Sequence, residues 1–122
     1  MRRWSTVLVT TVWVGLPPAQ AMPPAGVQVE VDLLLGYIEH SGCEFQRNGS
    51  WSDAHAAQAH LHDKYAYLSA RDMIDSTEHF IERAATRSSL TGQAYWVRCN
   101  GGTPMASQQW LREELARLRG AQ

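Results

Sequence analysis

The sequence predicts a small α+β fold: one domain of about four helices with a short antiparallel sheet, stapled by one disulfide. Three observations predict it. Apolar residues recur at three- and four-residue spacing in four stretches, which is the helical period. Two shorter stretches carry the alternating or aromatic pattern of strands. Each of these extended stretches holds one of the two cysteines.

Residues 1–21 are interpreted as a signal peptide. Arg2-Arg3 forms a positive start, Val7–Leu16 an apolar run, and Ala19–Ala21 an A-x-A cleavage site. The apolar run stops at Pro17-Pro18, short of the roughly 20 residues that span a membrane. An uncleaved N-terminal anchor is the alternative. We therefore expect a periplasmic or secreted protein with no membrane span after cleavage.

Residues 22–28, MPPAGVQ, form a Pro-rich lead that we expect to be flexible or extended. A single domain is expected over residues 29–120. Without Arg2 and Arg3, nine of the 11 basic residues remain against 12 acidic ones, so the exported chain is mildly acidic. It has no basic surplus of the kind that indicates nucleic-acid binding.

The first helix is predicted from near Val27 to Ser41-Gly42, because its apolar residues share one face. Gly42 suits the position that follows a helix. The stretch CEFQRNGSW then alternates as a strand up to Asn48-Gly49, a turn signal because both residues tolerate positive φ. The predicted buried face of the helix is Val27, Val31, Leu34, Leu35 and Ile38.

Two further helices follow. Ser52 or Asp53 is expected to cap the second helix, which runs to about Ala70, and the DSTE stretch at Asp75–Glu78 resembles a capping box for the third. The predicted core faces are Ala54, Ala57, Leu61, Tyr65 and Leu68 in the second helix, and Thr77, Phe80, Ile81, Ala84 and Ala85 in the third.

The last part of the domain is predicted as a strand and a helix. After the SSLTG loop at 88–92, the stretch AYWVRC is a strand that ends at Cys99, and NGGTP interrupts it. Ser107 is expected to cap the final helix, with Trp110 at its edge. Its inward residues are Leu111, Leu115 and Leu118.

Cys43 and Cys99 both lie in the part expected to be exported, where thiols oxidise. We predict a disulfide, which stabilises a fold with a loop of this length by roughly 4 kcal/mol in the chain-entropy model. Two free thiols are the alternative. Because each cysteine lies in a predicted strand, a bridge predicts that the two strands are antiparallel neighbours. Two isolated cysteines do not supply a metal site, and we expect no cofactor.

The stretch AHLHDKY at 59–65 concentrates polar residues on the second helix. On a helical wheel His60 and Lys64 lie one turn apart on one shoulder of the buried face, whereas His55 and His62 lie on the opposite shoulder. The histidines therefore cannot chelate one metal ion. With hydroxyls of the 88–91 loop, His60 and Lys64 form a cationic shoulder that favours an anion or a peptide carboxylate. Alternatively, His60 satisfies a loop carbonyl and Lys64 covers apolar surface.

An enzymatic interpretation is also open. Ser88 or Ser89 would be the nucleophile, and His60 or Lys64 the base, of a hydrolase acting on cell-wall or peptide bonds. The sequence has no G-x-S-x-G elbow and no S-x-x-K spacing, and paired serines after a helix are typical of turns. We therefore favour a protein that is not an enzyme.

The blocks FQRNG, AHLHDKY, STEHFI, AATRSS and TGQAYWVRC occur in this order over about residues 30–118. Their order and spacing resemble the YfeK-like family of small exported bacterial proteins, a domain of unknown function. His79 stands where the family pattern more usually has glutamine. The resemblance implies export and a shared fold but no activity. Together with the wheel, it indicates a ligand-binding set of Arg47, Asn48, His60, Lys64, Ser88, Ser89 and Tyr95.

The function that the sequence favours is a small binding or interaction module. Its expected partner is an envelope component or a small anionic ligand rather than nucleic acid. The small domain, the disulfide and the weak nucleophile-and-base pattern favour binding over catalysis. The hydrolase stays as the alternative.

Overall fold

The computed structural model describes residues 2–15 and 22–121. Residues 2–15 have no regular secondary structure. The predicted cleavage site Ala19–Ala21 and the Pro17-Pro18 pair lie outside the described residues. No helix within the described ranges has the length and the apolar composition needed to cross a membrane. Residues 22–121 form, in chain order, α1 (Ala25–His40), β1 (Glu44–Arg47), β2 (Ser50–Ser52), α2 (Ala54–Ser69), α3 (Thr77–Ala84), β3 (Trp96–Arg98), β4 (Met105–Ala106) and α4 (Ser107–Gly120).

The four strands of this segment form one antiparallel sheet in the order β2-β1-β3-β4. With four helices beside it, the sheet confirms the predicted α+β fold. β1 and β2 are joined at Asn48-Gly49, whose φ angles are 51° and 81°. Two positive φ angles in succession are what a tight two-residue hairpin turn requires, so the Asn-Gly signal predicted this turn correctly.

The ladder between β1 and β3 fixes the centre of the sheet. Phe45 lies opposite Val97, and both side chains are buried. At one end of the ladder, just outside the two strands, Cys43 and Cys99 form a disulfide with their Cα atoms 4.3 Å apart. The predicted disulfide and the antiparallel pairing that it implied are both confirmed. The bridge spans 56 residues of sequence, which corresponds to roughly 4 kcal/mol of stabilisation in the chain-entropy model.

The helices bury the faces that their periodicity predicted. α1 packs against α2, α3 and α4, while α2 contacts β1 and α4 contacts β3 and β4. Val27, Tyr65 and Leu118 are partly buried against the core. Trp110, which was expected at the edge of α4, is buried and stacks on Tyr37 with ring centroids 4.4 Å apart. The predicted core residues that are buried are Val31, Leu34, Leu35, Ile38, Ala54, Ala57, Leu61, Leu68, Thr77, Phe80, Ile81, Ala84, Ala85, Leu111 and Leu115.

The start of α1 differs from the sequence prediction, because residues 25–28 of the predicted flexible lead 22–28 are helical. The helix begins at Ala25, and Pro24 precedes it with φ −51° and ψ 147°. Because the proline ring fixes φ before folding, the chain loses little backbone freedom on entering the helix. The side chain of Gln28 also donates to the carbonyl of Pro23 over 2.7 Å, which holds the lead against the first turn.

The helix caps agree with the sequence in one case and differ in another. Asp53 caps α2, as expected, and accepts from the backbone N–H of Ala56 over 2.8 Å. For α3 the cap is Ser76 rather than Asp75. Ser76 has an extended backbone, with φ −145° and ψ 162°, and its hydroxyl accepts from the N–H of His79. The predicted box was therefore one residue too early.

The edge strand β4 was not predicted, and its presence changes the start of α4. Met105 and Ala106 pair with β3, and Ser107 is the first helical residue instead of the cap. The buried Ser107 donates its backbone N–H to the carbonyl of Tyr95 over 2.9 Å, so the helix follows directly from the sheet edge. A strand of two residues is too short for sequence periodicity to reveal.

Candidate functional site

The sheet ends in a polar cleft at the end of β1 and β3 that is opposite the disulfide. Side chains alternate between the two faces of a strand, so Arg47 lies on the same inner face as the buried Phe45. The register of β1 and β3, continued by one residue, sets Arg47 opposite Tyr95. His60 and Lys64 of α2 both reach the Tyr95 hydroxyl. The loop around Ser88 completes the wall.

The cleft has a volume of about 530 Å³, which lies within the usual range of about 300–1,000 Å³ for ligand sites. The structure brings all seven residues of the predicted ligand-binding set to its wall. That the cleft binds a ligand stays a prediction. Three further lining residues, a leucine and two serines, were not singled out by the sequence. The wall consists of Arg47, Asn48, Ser50, Ser52, His60, Lys64, Ser88, Ser89, Leu90 and Tyr95.

His60 lies at the centre of the polar contacts. Nη1 of Arg47 is 2.6 Å from Nδ1 and 3.1 Å from Nε2 of His60, and the Tyr95 hydroxyl is 3.2 Å from Nε2. Because arginine can only donate, the nearer ring nitrogen, Nδ1, must accept. The proton of the neutral ring then lies on Nε2 and is donated to Tyr95. This pair of contacts therefore requires the neutral form of His60.

The Tyr95 hydroxyl accepts one hydrogen bond from His60 and a second one from Lys64. Nζ of Lys64 lies 3.2 Å from that hydroxyl and 3.1 Å from the carbonyl oxygen of Arg87, to which it also donates. With both lone pairs of Tyr95 engaged by His60 and Lys64, the phenolic O–H is left to donate elsewhere. We refer to Arg47, His60, Lys64 and Tyr95 as the cleft cluster. Its four side chains are connected by hydrogen bonds, and they offer hydrogen-bond donors to the cleft.

The charge of the cleft cluster is unbalanced. None of the described residues that line the cleft is acidic. Within residues 2–15 and 22–121, neither Arg47 nor Lys64 forms an ion pair with a carboxylate, whereas Arg98, Arg117 and Arg119 each do. Two permanent or nearly permanent cations therefore share one cleft with a histidine, and no described residue of its wall supplies a counter-charge.

The pKa values of the cleft cluster are shifted in the directions that this crowding predicts. Burial lowers the pKa of His60, and the charges of Arg47 and Lys64 lower it further. Burial, followed by the charge of Arg47, also lowers the pKa of Lys64. Burial raises the pKa of Tyr95. Each shift means that the cleft disfavours the charged form of the group, and an anion would reverse the effect on His60 and Lys64.

Ser88 and Ser89 lie at the cleft in different ways. The hydroxyl of the buried Ser88 accepts from the N–H groups of Leu90 and Thr91 over 3.2 and 3.4 Å, which is turn chemistry. Ser89 is exposed. Within the described part of the chain, no hydrogen bond joins either serine to His60 or Lys64. The hydrolase hypothesis thus gains no nucleophile-and-base pair from the geometry.

The hairpin and the loop are joined across the cleft by one side-chain hydrogen bond. Thr91 donates its hydroxyl proton to the side-chain oxygen of Asn48 over 2.6 Å. Asn48 is therefore both the turn residue with positive φ and the contact that holds the 88–91 loop against β1. Its position in the predicted ligand-binding set therefore has a structural explanation.

His55 and His62 lie away from the cleft, as the helical wheel predicted. Their side chains are 78% and 59% exposed, and each lies near an acidic side chain, Glu39 for His55 and Asp63 for His62. In the ranges that the structure describes, no group of three or more His, Cys, Asp or Glu side chains is arranged to hold a metal ion. Of the residues in the AHLHDKY stretch, His60 and Lys64 alone line the cleft.

A second, smaller cavity adjoins the cleft and was missed by sequence reasoning. Its volume is about 90 Å³, and it shares four lining residues with the cleft: Arg47, Ser52, His60 and Tyr95. Its other walls include Phe45, Ala56, Ala57 and Leu61. The apolar residues among them were predicted only as core or left unassigned, because helical periodicity identifies an inward face and not a gap in its packing.

Comparison with known proteins adds the family. The model of a family of unknown function, DUF5329, matches residues 25–119. The chain belongs to this family. The DUF5329 match covers every helix and strand described above except the last residue of α4, and it includes the whole cleft cluster.

A relative of known sequence agrees with this assignment. The uncharacterized protein YfeK of Salmonella typhimurium (strain LT2) is 32% identical over 79 residues, which is 64% of this chain and 64% of YfeK. The match thus spans less than two thirds of the length of YfeK. The YfeK-like family that the sequence blocks indicated is confirmed. No solved structure matches the chain.

Proposed function

We propose that this protein is an exported binding module whose cleft holds an anionic group of an envelope component. The observation that carries the proposal is the donor-rich cleft cluster, in which Arg47 and Lys64 meet at His60 and Tyr95 with no acidic residue in the described wall. Such a site favours a carboxylate, phosphate or sulfate group over a neutral or cationic one.

Partial burial strengthens the argument for an anion. Lys64 and His60 are removed from part of their water, and both have lowered pKa values for that reason. Attraction between charges grows as the surroundings become less polar. An anion in the cleft would therefore be held more strongly than on an exposed basic surface, and hydrogen bonds to charged groups contribute about 1.5–3 kcal/mol each.

Export is supported by the first 21 residues and by the disulfide. The charged start, apolar run and A-x-A motif have the order of a signal peptide. Disulfides such as Cys43–Cys99 persist in oxidising compartments and are rare in the cytosol. Both observations fit a protein of the periplasm or the cell exterior.

A binding screen tests the anion proposal. Purified protein would be titrated with phosphate, sulfate, acetate and short peptides with free C-termini, and the melting temperature and ¹⁵N chemical shifts would be followed. At least one anion should raise the melting temperature and shift the amides of Arg47, His60 and Tyr95. Arg47→Gln should abolish the response, because it removes a permanent cation of the cleft.

Arg71→Gln is the matched control for this screen. Arg71 is an exposed arginine that stacks on Tyr67 and donates to its carbonyl, away from the cleft. Its replacement should leave the response unchanged. The proposal is wrong if no anion acts on wild type, or if the two arginine variants respond alike.

Export has a separate test. Protein recovered from a periplasmic extract of a bacterium expressing the full chain should have the intact mass of residues 22–122 minus two hydrogens. A retained leader, or two thiols that react with an alkylating agent before reduction, would contradict export with a closed disulfide.

A further inference from the structure

The small cavity beside the cleft is here called the aliphatic pocket. It is lined by Phe45, Gln46, Arg47, Ser52, Ala56, Ala57, His60, Leu61, Tyr95 and Ser107. Arg47, His60 and Tyr95 belong both to this pocket and to the cleft, so the two spaces adjoin at the cleft cluster. A ligand that places its anionic group at the cluster therefore has an apolar space within immediate reach.

The chemistry of the aliphatic pocket differs from that of the cleft. Phe45, Ala57 and Leu61 are buried core residues, and they present hydrocarbon to the pocket. Ala56 lies at an exposed position of α2 and contributes a methyl group to the wall. No described residue of this wall is acidic, and its basic groups are the same Arg47 and His60 that face the cleft. The pocket thus favours an apolar group attached close to an anion.

The volume of the pocket limits the size of that group. An apolar cavity of about 150 Å³ holds a benzene molecule. The aliphatic pocket, at about 90 Å³, is smaller than this, so it accommodates a methyl or isopropyl group more readily than an aromatic ring.

We propose that the ligand is a peptide with a free C-terminal carboxylate and a small aliphatic last residue, such as alanine or valine. The carboxylate lies at Arg47, Lys64 and Tyr95, and the aliphatic side chain enters the aliphatic pocket. This inference rests on the anion-binding function proposed above and names the class of ligand for the same site.

The size and polarity of the cleft favour a peptide over a free short-chain acid. At about 530 Å³ the cleft is much larger than a free propionate or isobutyrate ion requires. Its remaining wall carries Asn48, Ser50 and Ser89, which offer both donors and acceptors. These are the groups that the amide units preceding the last residue of a peptide need.

A ligand series tests the proposal by isothermal titration and ¹⁵N chemical-shift mapping. The series is N-acetylglycine, N-acetylalanine, N-acetylvaline and N-acetylphenylalanine, with propionate and N-acetylalaninamide as reference compounds.

One buried methyl group contributes about fourfold in affinity. N-acetylalanine should therefore bind about fourfold more tightly than N-acetylglycine. N-acetylvaline should bind at least as tightly as N-acetylalanine, and N-acetylphenylalanine more weakly than N-acetylvaline. N-acetylalaninamide, which lacks the carboxylate charge, should bind about tenfold or more weakly than N-acetylalanine.

Two variants of α2 locate the effect. Ala56→Leu fills the pocket from an exposed position and should abolish the preference for alanine over glycine while N-acetylglycine still binds. Ala59→Leu, at an exposed position of the same helix outside both walls, is the matched control and should keep the preference. Equal effects of the two substitutions would overturn the assignment of the pocket.

The outcomes separate this inference from the proposed function. Equal binding of the four acetylated amino acids would overturn the aliphatic pocket and leave anion binding intact. Propionate binding as tightly as N-acetylalanine would overturn the peptide assignment. If the amide binds as well as the acid, or if no compound binds, the inference fails together with the anion-binding function.

Discussion

Two clusters of charged side chains in this protein differ in whether their positive charge is balanced by carboxylates. In the first, which we name the Arg119 cluster, Arg119 of α4 donates to both carboxylate oxygens of Glu30 over 3.0 and 3.1 Å and also to Glu78. Thr77 adds a hydroxyl donor to Glu30 over 2.6 Å. In the second, the cleft cluster, cations and donors meet one another and no carboxylate of the described residues. The charge of Arg119 is balanced by carboxylates of the protein itself, whereas the cations of the cleft cluster are available to an external anion.

The pKa shifts follow this difference. Hydrogen bonds from Arg119 lower the pKa values of Glu30 and Glu78, and both carboxylates raise the pKa of Arg119. Every group there is stabilised in its charged form. In the cleft cluster, burial and the neighbouring cations lower the pKa values of His60 and Lys64, so their charged forms are disfavoured. We infer that the Arg119 cluster serves to join α1, α3 and α4, whereas the cleft cluster is held for a ligand.

The largest expected effect separates ligand binding from stability at the cleft cluster. Lys64→Met keeps the aliphatic stem and removes the charge, so affinity for an anion should fall about 10- to 100-fold, the effect of losing a charged hydrogen bond. The free energy of unfolding without ligand should change by less than about 1 kcal/mol, because relief of burial offsets the lost contacts. Titration calorimetry and urea unfolding measure the two quantities. A variant that binds normally but unfolds easily would make Lys64 a structural residue.

The same comparison predicts the reverse result at the Arg119 cluster. Arg119→Ala should lower the free energy of unfolding by about 1 kcal/mol, a modest value because the arginine side chain is 44% exposed. Anion affinity at the cleft should be unchanged. Because the pKa values of Glu30 and Glu78 are lowered in the folded state, their contribution is present above their ordinary pKa and is lost as pH falls through the lowered values. The difference between variant and wild type in urea unfolding should therefore shrink in acid. A constant difference would contradict this account.

A smaller effect is expected from His60 as pH changes. Since the folded-state pKa of His60 lies below its ordinary value of 6.5, the unfolded chain takes up the proton first, and unliganded stability should fall as pH decreases below about 6.5. An anion raises that pKa, so sulfate, which keeps its charge throughout, should bind several-fold more tightly at pH 5.5 than at pH 7.5. His60→Gln should remove both dependences. An affinity for sulfate that does not change with pH would exclude His60 from the site.

The smallest effect is expected at His62, two residues after His60. His62→Ala should change stability by less than about 0.5 kcal/mol and should not change ligand affinity, because the side chain is 59% exposed. His60→Ala should cost about 1 kcal/mol through the lost hydrogen bonds to Arg47 and Tyr95. Thermal unfolding of the two variants provides the measurement. Equal losses would contradict a stabilising contribution of the His60 hydrogen bonds.

The sequence predicted features that depend on neighbours along the chain. The inward faces of the helices, the Asn48-Gly49 turn and the shared shoulder of His60 and Lys64 follow from helical period and backbone preference, which act over a few residues. The disulfide was predictable as well, since Cys43 and Cys99 were the only candidates to pair. The family blocks added the positions of Arg47, Asn48 and Tyr95 without saying why these positions belong together.

Only the tertiary structure decided how those positions form a site. The register of β1 against β3, continued by one residue, sets Arg47 opposite Tyr95, and the packing of α2 brings His60 and Lys64 to the Tyr95 hydroxyl. The aliphatic pocket, the pairing of β4 and the role of Ser107 at the sheet edge likewise depend on contacts between distant segments. Sequence periodicity specifies which face of an element turns inward. Which residues meet there, and where a gap is left between them, is determined by the simultaneous packing of several elements.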